Sequence, residues 1–322
     1  MIGKRGKFIL LLYMIVLTVL FLMCSTDLII REPEKEIYQV AVIIEDARDD
    51  NYGSFRKGMD QAAVELNADV RFITLYEKLD ADQQMELISR EQQDGADALI
   101  VVPADEEQVL AALARRQVTV PMVILGSGLT GEGVTGTVVV DYREMGERLG
   151  REMKEQLAED GTVLIFTDPS GRSGASRRFL EGARAVMEEQ GILCRTIARD
   201  PEHGFKMFME TMEEPGQVLI LAESPEILSE AAGCLAELPG LSGRAFLYGR
   251  GSTLPVLNYL DRGLIRGLCV TDEFGIGYFS VGIAVRALES AGGVSDVAMD
   301  SFYIEKEDLR DPAYEKMLFP IE

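Results

Sequence analysis

The stretch Tyr38–Glu45 (YQVAVIIE) is an apolar, β-branched run, and a segment with helical spacing follows it. That following segment places Phe55, Met59 and Leu66 on one helical face. A strand that is apolar at nearly every position is typical of a parallel sheet covered by helices on both faces. This strand–helix order therefore predicts an α/β protein.

The same unit recurs along the chain in two series. Further strands are predicted at Val70–Leu75, Ala98–Val102, Pro121–Leu125 and Val138–Val140, and then at Thr162–Phe166, Leu193–Ile197, Val218–Leu221, Ala245–Tyr248 and Leu264–Val270. Predicted helices separate them, so the two series predict two doubly wound parallel-sheet lobes. Ligands of such sheets bind beyond the carboxyl ends of the strands, and we expect a pocket between the lobes.

The N-terminus carries one long apolar run. Phe8–Thr26 has nineteen residues without a charge, enough to cross a hydrocarbon layer of roughly 30 Å. Three cations precede it, Lys4, Arg5 and Lys7, which favours a cytoplasmic N-terminus and an exported body.

This apolar run has three possible interpretations. No A-x-A-like cleavage site follows it closely, so the sequence favours an uncleaved transmembrane anchor with a polar linker, together residues 1–36. A cleaved signal segment is one alternative. A lipid-modified Cys24 is the other, although Met23 stands where lipidated bacterial cysteines resemble one another in carrying Gly, Ala or Ser.

Composition excludes several functions. The chain has 54 acidic and 32 basic residues, a net charge of −22, and such a surface repels phosphate backbones, so nucleic acid is not an expected partner. The three cysteines beyond the anchor, Cys194, Cys234 and Cys269, show no C-x-x-C spacing. We therefore expect no metal site and no cofactor.

The motifs that resemble catalytic sites lack their context. Gly126–Gly131 (GSGLTG) fits G-x-G-x-x-G but leads to a predicted strand, so it is interpreted as a turn. Ser173 is typical of a helix cap rather than of a nucleophile. His203, the single histidine, lies in a polar loop and is expected to face solvent. We predict no catalytic residues.

Four segments carry a family resemblance. They are, in order, Asp50–Gly58 (DNYGSFRKG), Ala96–Pro103 (ADALIVVP), Val140–Gly146 (VDYREMG) and Leu260–Ile265 (LDRGLI). In order and spacing they are similar to segments of the type I periplasmic sugar-binding proteins, the ribose- and galactose-binding group. That group shares its fold with the ligand domains of lactose-type repressors, and the resemblance covers about Tyr38 to Ile304.

The resemblance implies how the lobes are divided. It implies a type I periplasmic-binding-protein fold with a hinge that the chain crosses three times. The N-terminal lobe is then residues 37–141 with 272–300, and the C-terminal lobe is 142–271 with 301–322.

The resemblance also implies ligand contacts. By position these are Asn51 and Tyr52 of the first helix, Arg177 and Ser224 of the second lobe, and Asp272 near the last hinge. Two positions depart from the family pattern. Gly126-Ser127 stands where sugar binders commonly carry Asp-Arg, and Arg250-Gly251 stands where they carry Asp. By these positions Ser127 and Arg250 are also expected to contact the ligand. Fewer acceptors remain for sugar hydroxyls, which argues against a standard pentose or hexose pocket.

Each of these residues also has a structural interpretation. Tyr52 would pack in the core, Arg177 would form an ion pair with Glu181, and Ser127 would stabilise its turn. Ser224 and Asp272 would cap helices, and Arg250 would be a solvated charge.

The sequence as a whole predicts a membrane-tethered, extracytoplasmic solute-binding protein. It would close on a small polar, carbohydrate-like ligand and present it to an ABC transporter permease or a sensor histidine kinase. Two alternatives remain: a lactose-repressor-like regulator, and an exported hydrolase that uses Ser173. The apolar segment Tyr314–Glu322 is expected to dock on a lobe or to meet the membrane partner.

Overall fold

The computed structural model describes residues 4–25, 37–126, 128–129, 131, 133–169, 173–212, 216–241, 243–289 and 296–320. The chain forms two compact units, Met1–Ile37 and Tyr38–Glu322. In the first unit, helix α1 spans Lys4–Ser25. Its 22 residues extend about 33 Å at the usual rise of an α-helix.

Helix α1 is apolar enough to cross a membrane. Its window Arg5–Met23 has a mean hydropathy of 2.4, and within the described ranges no other helix combines this length and composition. A signal sequence near the N-terminus has the same character.

The larger unit contains two six-stranded sheets. Strands of the first sheet are β1 (Tyr38–Ile43), β2 (Ala68–Ile73), β3 (Ala98–Val101), β4 (Met122–Gly126), β5 (Val134–Val140) and β11 (Val297–Met299). Their order is β11-β5-β4-β3-β1-β2, and every pairing is parallel. In β1, Val40 and Val42 face one hydrophobic cluster and Ala41 and Ile43 face another, so the strand is buried on both faces as its apolar sequence predicts.

The second sheet repeats this arrangement. Its strands are β6 (Thr162–Thr167), β7 (Cys194–Ala198), β8 (Val218–Ala222), β9 (Ala245–Arg250), β10 (Ile265–Thr271) and β12 (Ser301–Ile304). Their order is β12-β10-β9-β8-β6-β7. Only the edge strand β12 differs in direction among these pairings, since it lies antiparallel to β10.

Helices cover both sheets. They are α2 (Gly53–Leu66), α3 (Ala81–Gln93), α4 (Glu106–Ala114), α5 (Tyr142–Gln156), α6 (Gly174–Glu189), α7 (Lys206–Glu210), α8 (Pro225–Glu237), α9 (Leu254–Asp261), α10 (Glu273–Glu289) and α11 (Pro312–Leu318). The pair α2–α10 packs with the first sheet, which we call the first lobe, and α5–α6 packs with the second, the second lobe. The predicted α/β fold of two doubly wound lobes is confirmed.

The chain passes between the sheets three times, after β5, after β10 and after β11. The predicted lobe boundaries stay a prediction.

The observed strands differ from the predicted ranges by a few residues: β7 begins at Cys194 rather than Leu193, and β5 begins at Val134 rather than Val138. The short strands β11 and β12 were not predicted, because three or four residues carry too little periodicity to stand out.

Three local interpretations can be compared with the structure. Gly126 ends β4 with φ +80°, and β5 follows at Val134, so the glycine-rich segment joins two strands. Ser173 caps α6, because its Oγ accepts from Ser176 N at 3.2 Å. His203 is exposed, and its backbone N donates to Asp200 Oδ1 at 2.7 Å.

Candidate ligand-binding site

A cavity of about 1210 Å³ lies between the two lobes. Its walls come from segments at the carboxyl ends of parallel strands: Glu45 after β1, Val140 at the end of β5, Ser224 after β8, Arg250 at the end of β9 and Glu273 after β10. This is where open α/β sheets bind ligands, because strand ends on both sheets leave a crevice between neighbouring loops.

Polar contacts join the lobes across this cavity. Arg178 Nη2 of α6 donates to Glu106 Oε1 and Oε2 of α4 at 2.7 and 2.8 Å. Glu226 Oε1 of α8 accepts from Asn51 Nδ2 at 2.5 Å and from Lys78 Nζ at 3.2 Å. We call these contacts the bridging pairs. Because each one joins the first lobe to the second, the structure represents a closed arrangement.

The bridging pairs hold Glu226 ionised. Burial raises the pKa of Glu226, but the charge of Lys78, hydrogen bonds from the Ser224 side chain and from the backbone, and the charge of Arg250 together outweigh burial and lower the pKa to about 2. Lys78 also lies 3.4 Å from Asp46 Oδ2. Burial lowers the pKa of Lys78, and its carboxylate neighbours Glu226 and Asp46 raise it further than burial lowers it. Both groups therefore remain charged near neutral pH.

A second acid in the cavity behaves differently. Burial raises the pKa of Glu45 to about 7, although Tyr52 donates its hydroxyl to Glu45 Oε2 at 3.0 Å. Burial and the neighbouring Glu45 carboxylate raise the pKa of Tyr52 well above its ordinary value, so the phenol stays protonated. Glu45 is thus divided between its neutral and ionised forms at neutral pH.

The remaining wall combines a cation with aromatic rings. The Arg250 guanidinium lies 5.1 Å from the ring centroid of Tyr142 and 5.8 Å from that of Phe179. Its Nη2 donates to Ser176 Oγ at 3.2 Å. We call Arg250, Ser176, Tyr142 and Phe179 the Arg250 cluster. Nearby, Glu273 accepts from Thr271 Oγ1 at 3.0 Å, and burial raises its pKa.

Two lobes, a crevice at the strand ends and contacts across it are the geometry of a protein that closes on a small molecule. A model of the family described as "Periplasmic binding protein domain" matches residues 40–292. The chain belongs to this family. The resemblance to type I periplasmic sugar-binding proteins is thereby confirmed, and the domain is of an extracytoplasmic kind.

Solved structures of periplasmic binding proteins share the fold. An ABC transporter solute-binding protein from Agrobacterium vitis, bound with alpha-D-tagatopyranose, has a TM-score of 0.75 at 18% identity and covers 88% of this chain and 100% of its own. A chain of the TorS sensor domain–TorT complex gives 0.74 at 17% identity, covering 88% and 98%.

A regulator has the same fold. A protein from Bacteroides fragilis that is described as a LacI transcriptional regulator gives a TM-score of 0.72 at 15% identity, covering 85% of this chain and 99% of its own. Identities this low show the fold alone. No curated protein matches the chain.

Four of the residues expected from the family resemblance line the cavity. They are Asn51, Tyr52, Ser224 and Arg250. Ser224 also caps α8, because its Oγ accepts from Ile227 N at 3.4 Å. Their role as ligand contacts stays a prediction. Ser127 lies outside the described residues.

Two other expected residues do not line the cavity. Arg177 is exposed on α6, beside Glu181 and Arg184, whereas Arg178 lines the cavity. One residue along a helix turns the side chain by about 100°, so this shift by one position changes which arginine faces the cavity. Asp272 Oδ1 accepts from Gly275 N at 2.8 Å, in the manner of a helix cap.

Sequence reasoning missed several cavity residues. Glu45, Glu106, Tyr142, Arg178 and Glu273 all line it. A signal existed for Glu45, Tyr142 and Glu273, since each closely follows the end of an apolar strand. Glu106 and Arg178 had none, because their pairing depends on how the two lobes approach each other.

The segment after α11 also reaches the cavity. Leu318 is buried in the second lobe, and Phe319 and Pro320 line the cavity wall. Lys57 Nζ of the first lobe donates to Pro320 O at 3.2 Å. The part of Tyr314–Glu322 up to Pro320 therefore docks on the body, which is one of the two expected roles.

Proposed function

We propose that the chain is a membrane-tethered, extracytoplasmic solute-binding protein whose lobes close on a small polar, sugar-like ligand. The observation that carries this proposal is the cavity between the lobes, bridged by Arg178–Glu106 and by the contacts of Glu226. Ligand pockets usually combine apolar walls with a few placed polar groups. Here the Tyr52 and Tyr142 rings supply apolar faces, and Asn51 supplies an amide.

The tether supports two readouts. Helix α1 acts as an uncleaved anchor and keeps the body close to a membrane partner, so that a weak contact suffices. One solved relative is an ABC transporter solute-binding protein, and another comes from a complex with a sensor domain. The partner is accordingly an ABC transporter permease or a sensor histidine kinase.

A ligand panel tests the binding function. The full chain in detergent is melted with sugars, polyols, nucleosides and sugar acids while its circular dichroism is followed. A true ligand at one hundred times its dissociation constant stabilises the folded state by about 2.7 kcal/mol. Tyr142→Leu should abolish the shift. Tyr76→Leu is the matched control, because Tyr76 is 91% exposed and does not line the cavity. A panel without any hit contradicts the proposal.

A protease experiment tests the location. A protease added to intact spheroplasts should digest the body, and lysis should add nothing. If the body is degraded only after lysis, it lies in the cytoplasm and the lactose-repressor-like alternative replaces this proposal.

The hydrolase alternative has a separate test. A serine nucleophile needs a general base within hydrogen-bond reach. The contacts of Ser173 Oγ in the described part of the chain are to Ser176 N at 3.2 Å and Ser176 Oγ at 3.4 Å. Chromogenic esters and glycosides should therefore remain intact. Turnover that disappears in Ser173→Ala would favour the enzyme.

A further inference from the structure

The cavity wall is richer in cations than the rest of the chain. The whole sequence has 54 acidic and 32 basic residues. Among the described residues that line the cavity, seven are acidic and six are basic. A wall of nearly balanced charge inside a strongly acidic protein indicates a ligand that is not simply a neutral polyol.

Three of these six cations have a carboxylate partner. Arg178 pairs with Glu106 at 2.7 Å, Arg199 with Glu230 at 2.7 Å, and Lys78 with Glu226 at 3.2 Å. Arg48 and Lys57 are exposed, so water solvates their charges, and Lys57 Nζ also donates to Pro320 O at 3.2 Å.

Arg250 is different. The ion pairs of the described cavity residues do not include Arg250, and its hydrogen bond goes to the neutral Ser176 Oγ. Arg250 lines the cavity, its Nε is enclosed without a partner, and the hydrogen bonds of the described ranges do not include its Nη1. The two acids that act on it are engaged elsewhere, Glu226 with Lys78 and Glu273 with Thr271. A charge that is only partly solvated calls for a counter-charge.

We propose that Arg250 binds a carboxylate of the ligand, so that the ligand is a small hydroxy acid such as a sugar acid. The planar guanidinium offers its two terminal nitrogens to the two oxygens of a carboxylate, a pairing that a neutral sugar lacks. A phosphate carries about one and a half to two charges near neutral pH. The other five wall cations are either paired with a carboxylate or exposed to water, so Arg250 alone faces the ligand's charge, which favours a singly charged group. This inference rests on the proposed binding function.

The experiment uses matched probes on the full chain in detergent. Galacturonate is compared with galactose, glucuronate with glucose, and galactose 6-phosphate serves as the phosphate arm, each titrated by calorimetry. We expect one of the acids to bind at least tenfold more tightly than its parent sugar. Arg250→Gln should weaken the acid at least tenfold and reduce the difference between acid and sugar to less than threefold.

Two further variants keep the outcome decisive. Arg177→Gln removes an exposed arginine that neighbours Arg178 on α6 but does not line the cavity, and it should leave the affinities unchanged. Arg250→Lys keeps the charge without the planar fork and should lose part of the preference for the acid. If Arg250→Gln fails to melt cooperatively, Arg250→Lys decides.

Each other result overturns the inference. A neutral sugar that binds as tightly as its acid refutes the carboxylate but leaves the proposed function standing. If galactose 6-phosphate binds more tightly than the sugar acids, the proposed carboxylate contact is refuted as well. If no compound of the panel binds, both the inference and the proposed function fail.

Discussion

The two lobes share a scaffold but differ in the chemistry of their cavity walls. Each has six strands in a corresponding order, and each has a pair of helices packed at close range. The walls differ in their balance of charge. Acids outnumber bases in the first lobe, with Glu45, Asp46, Asp50, Glu106 and Glu273 against Arg48, Lys57 and Lys78, whereas bases outnumber acids in the second, with Arg178, Arg199 and Arg250 against Glu226 and Glu230. The likeness shows that both lobes pack their helices and strands in the same way. The difference in charge means that acids of one lobe face bases of the other across the cavity.

The likeness is clearest in the glycines of the helix pairs. A Cβ on Gly277 of α10 would lie 2.0 Å from Phe55 O, and one on Gly146 of α5 would lie 1.9 Å from Phe179 O. Real Cβ atoms do not approach a backbone oxygen so closely, so the helices of both pairs touch at positions where a side chain cannot fit.

The largest effect is expected from filling these contacts. Gly277→Ala in the first lobe and Gly146→Ala in the second should each lower the free energy of unfolding by about 3 kcal/mol, because the paired helices must separate. Urea unfolding followed by circular dichroism measures this loss.

Gly282→Ala is the matched control within α10. Its new Cβ would have no neighbour closer than 3.8 Å, so the better helix propensity of alanine should leave stability equal or higher by up to about 1 kcal/mol. If Gly277→Ala and Gly282→Ala behave alike, close helix packing does not govern the scaffold. If only one lobe is sensitive, the likeness between the lobes is superficial.

The electrostatic contacts between the two walls are tested at Glu226. Glu226→Gln removes the charge that Lys78 and Asn51 of the first lobe approach, so the closed arrangement should become less populated. Affinity for a ligand should fall about tenfold, or about 1.4 kcal/mol. Small-angle scattering of the variant should give a larger radius of gyration.

An exposed ion pair supplies the comparison for Glu226. Lys206 and Glu237 lie 2.7 Å apart with 51% and 63% of their side chains exposed, away from the cavity. Glu237→Gln should leave the urea midpoint and the radius of gyration unchanged within experimental error. Equal behaviour of the two variants would mean that the bridging pairs do not hold the lobes closed.

The sequence predicts the scaffold better than the walls. Strands such as β8 are buried at every position, and a continuous apolar run identifies them without any knowledge of their neighbours. The direction in which a wall residue points is harder to predict, because it depends on where its helix begins. The cap at Ser173 sets the phase of α6 and turns Arg178 rather than Arg177 to the cavity.

Charge states are harder still to predict. Glu45 and Glu65 are the same residue type, and each accepts a hydrogen bond from a tyrosine, Tyr52 at 3.0 Å and Tyr278 at 2.6 Å. Burial raises the pKa of Glu45 to about 7, whereas the hydrogen bond from Tyr278 lowers the pKa of the exposed Glu65. Only the fold distinguishes them, because burial of Glu45 arises from segments distant in sequence.

Our last prediction follows from this contrast, and its effect is spread over more than two pH units. Because the pKa of Glu45 is higher in the folded state than its ordinary 4.5, the folded state binds more protons than the unfolded state between pH 4.5 and about 7. The free energy of unfolding should therefore fall by about 2 kcal/mol as pH rises through that window. Glu45→Gln should remove this part of the slope, since it cannot ionise.

Urea unfolding of both proteins at several pH values from 4.5 to 7.5 measures the slope, and Glu65→Gln is the control. The shift of Glu65 has the opposite sign, so its contribution is lost as pH falls and lies below the window in which Glu45 titrates. Glu65→Gln should keep the wild-type slope between pH 4.5 and 7. A Glu45→Gln variant that also keeps it would show that Glu45 stays ionised, and the cavity would then be more strongly acidic than the enclosed Glu45–Tyr52 pair indicates.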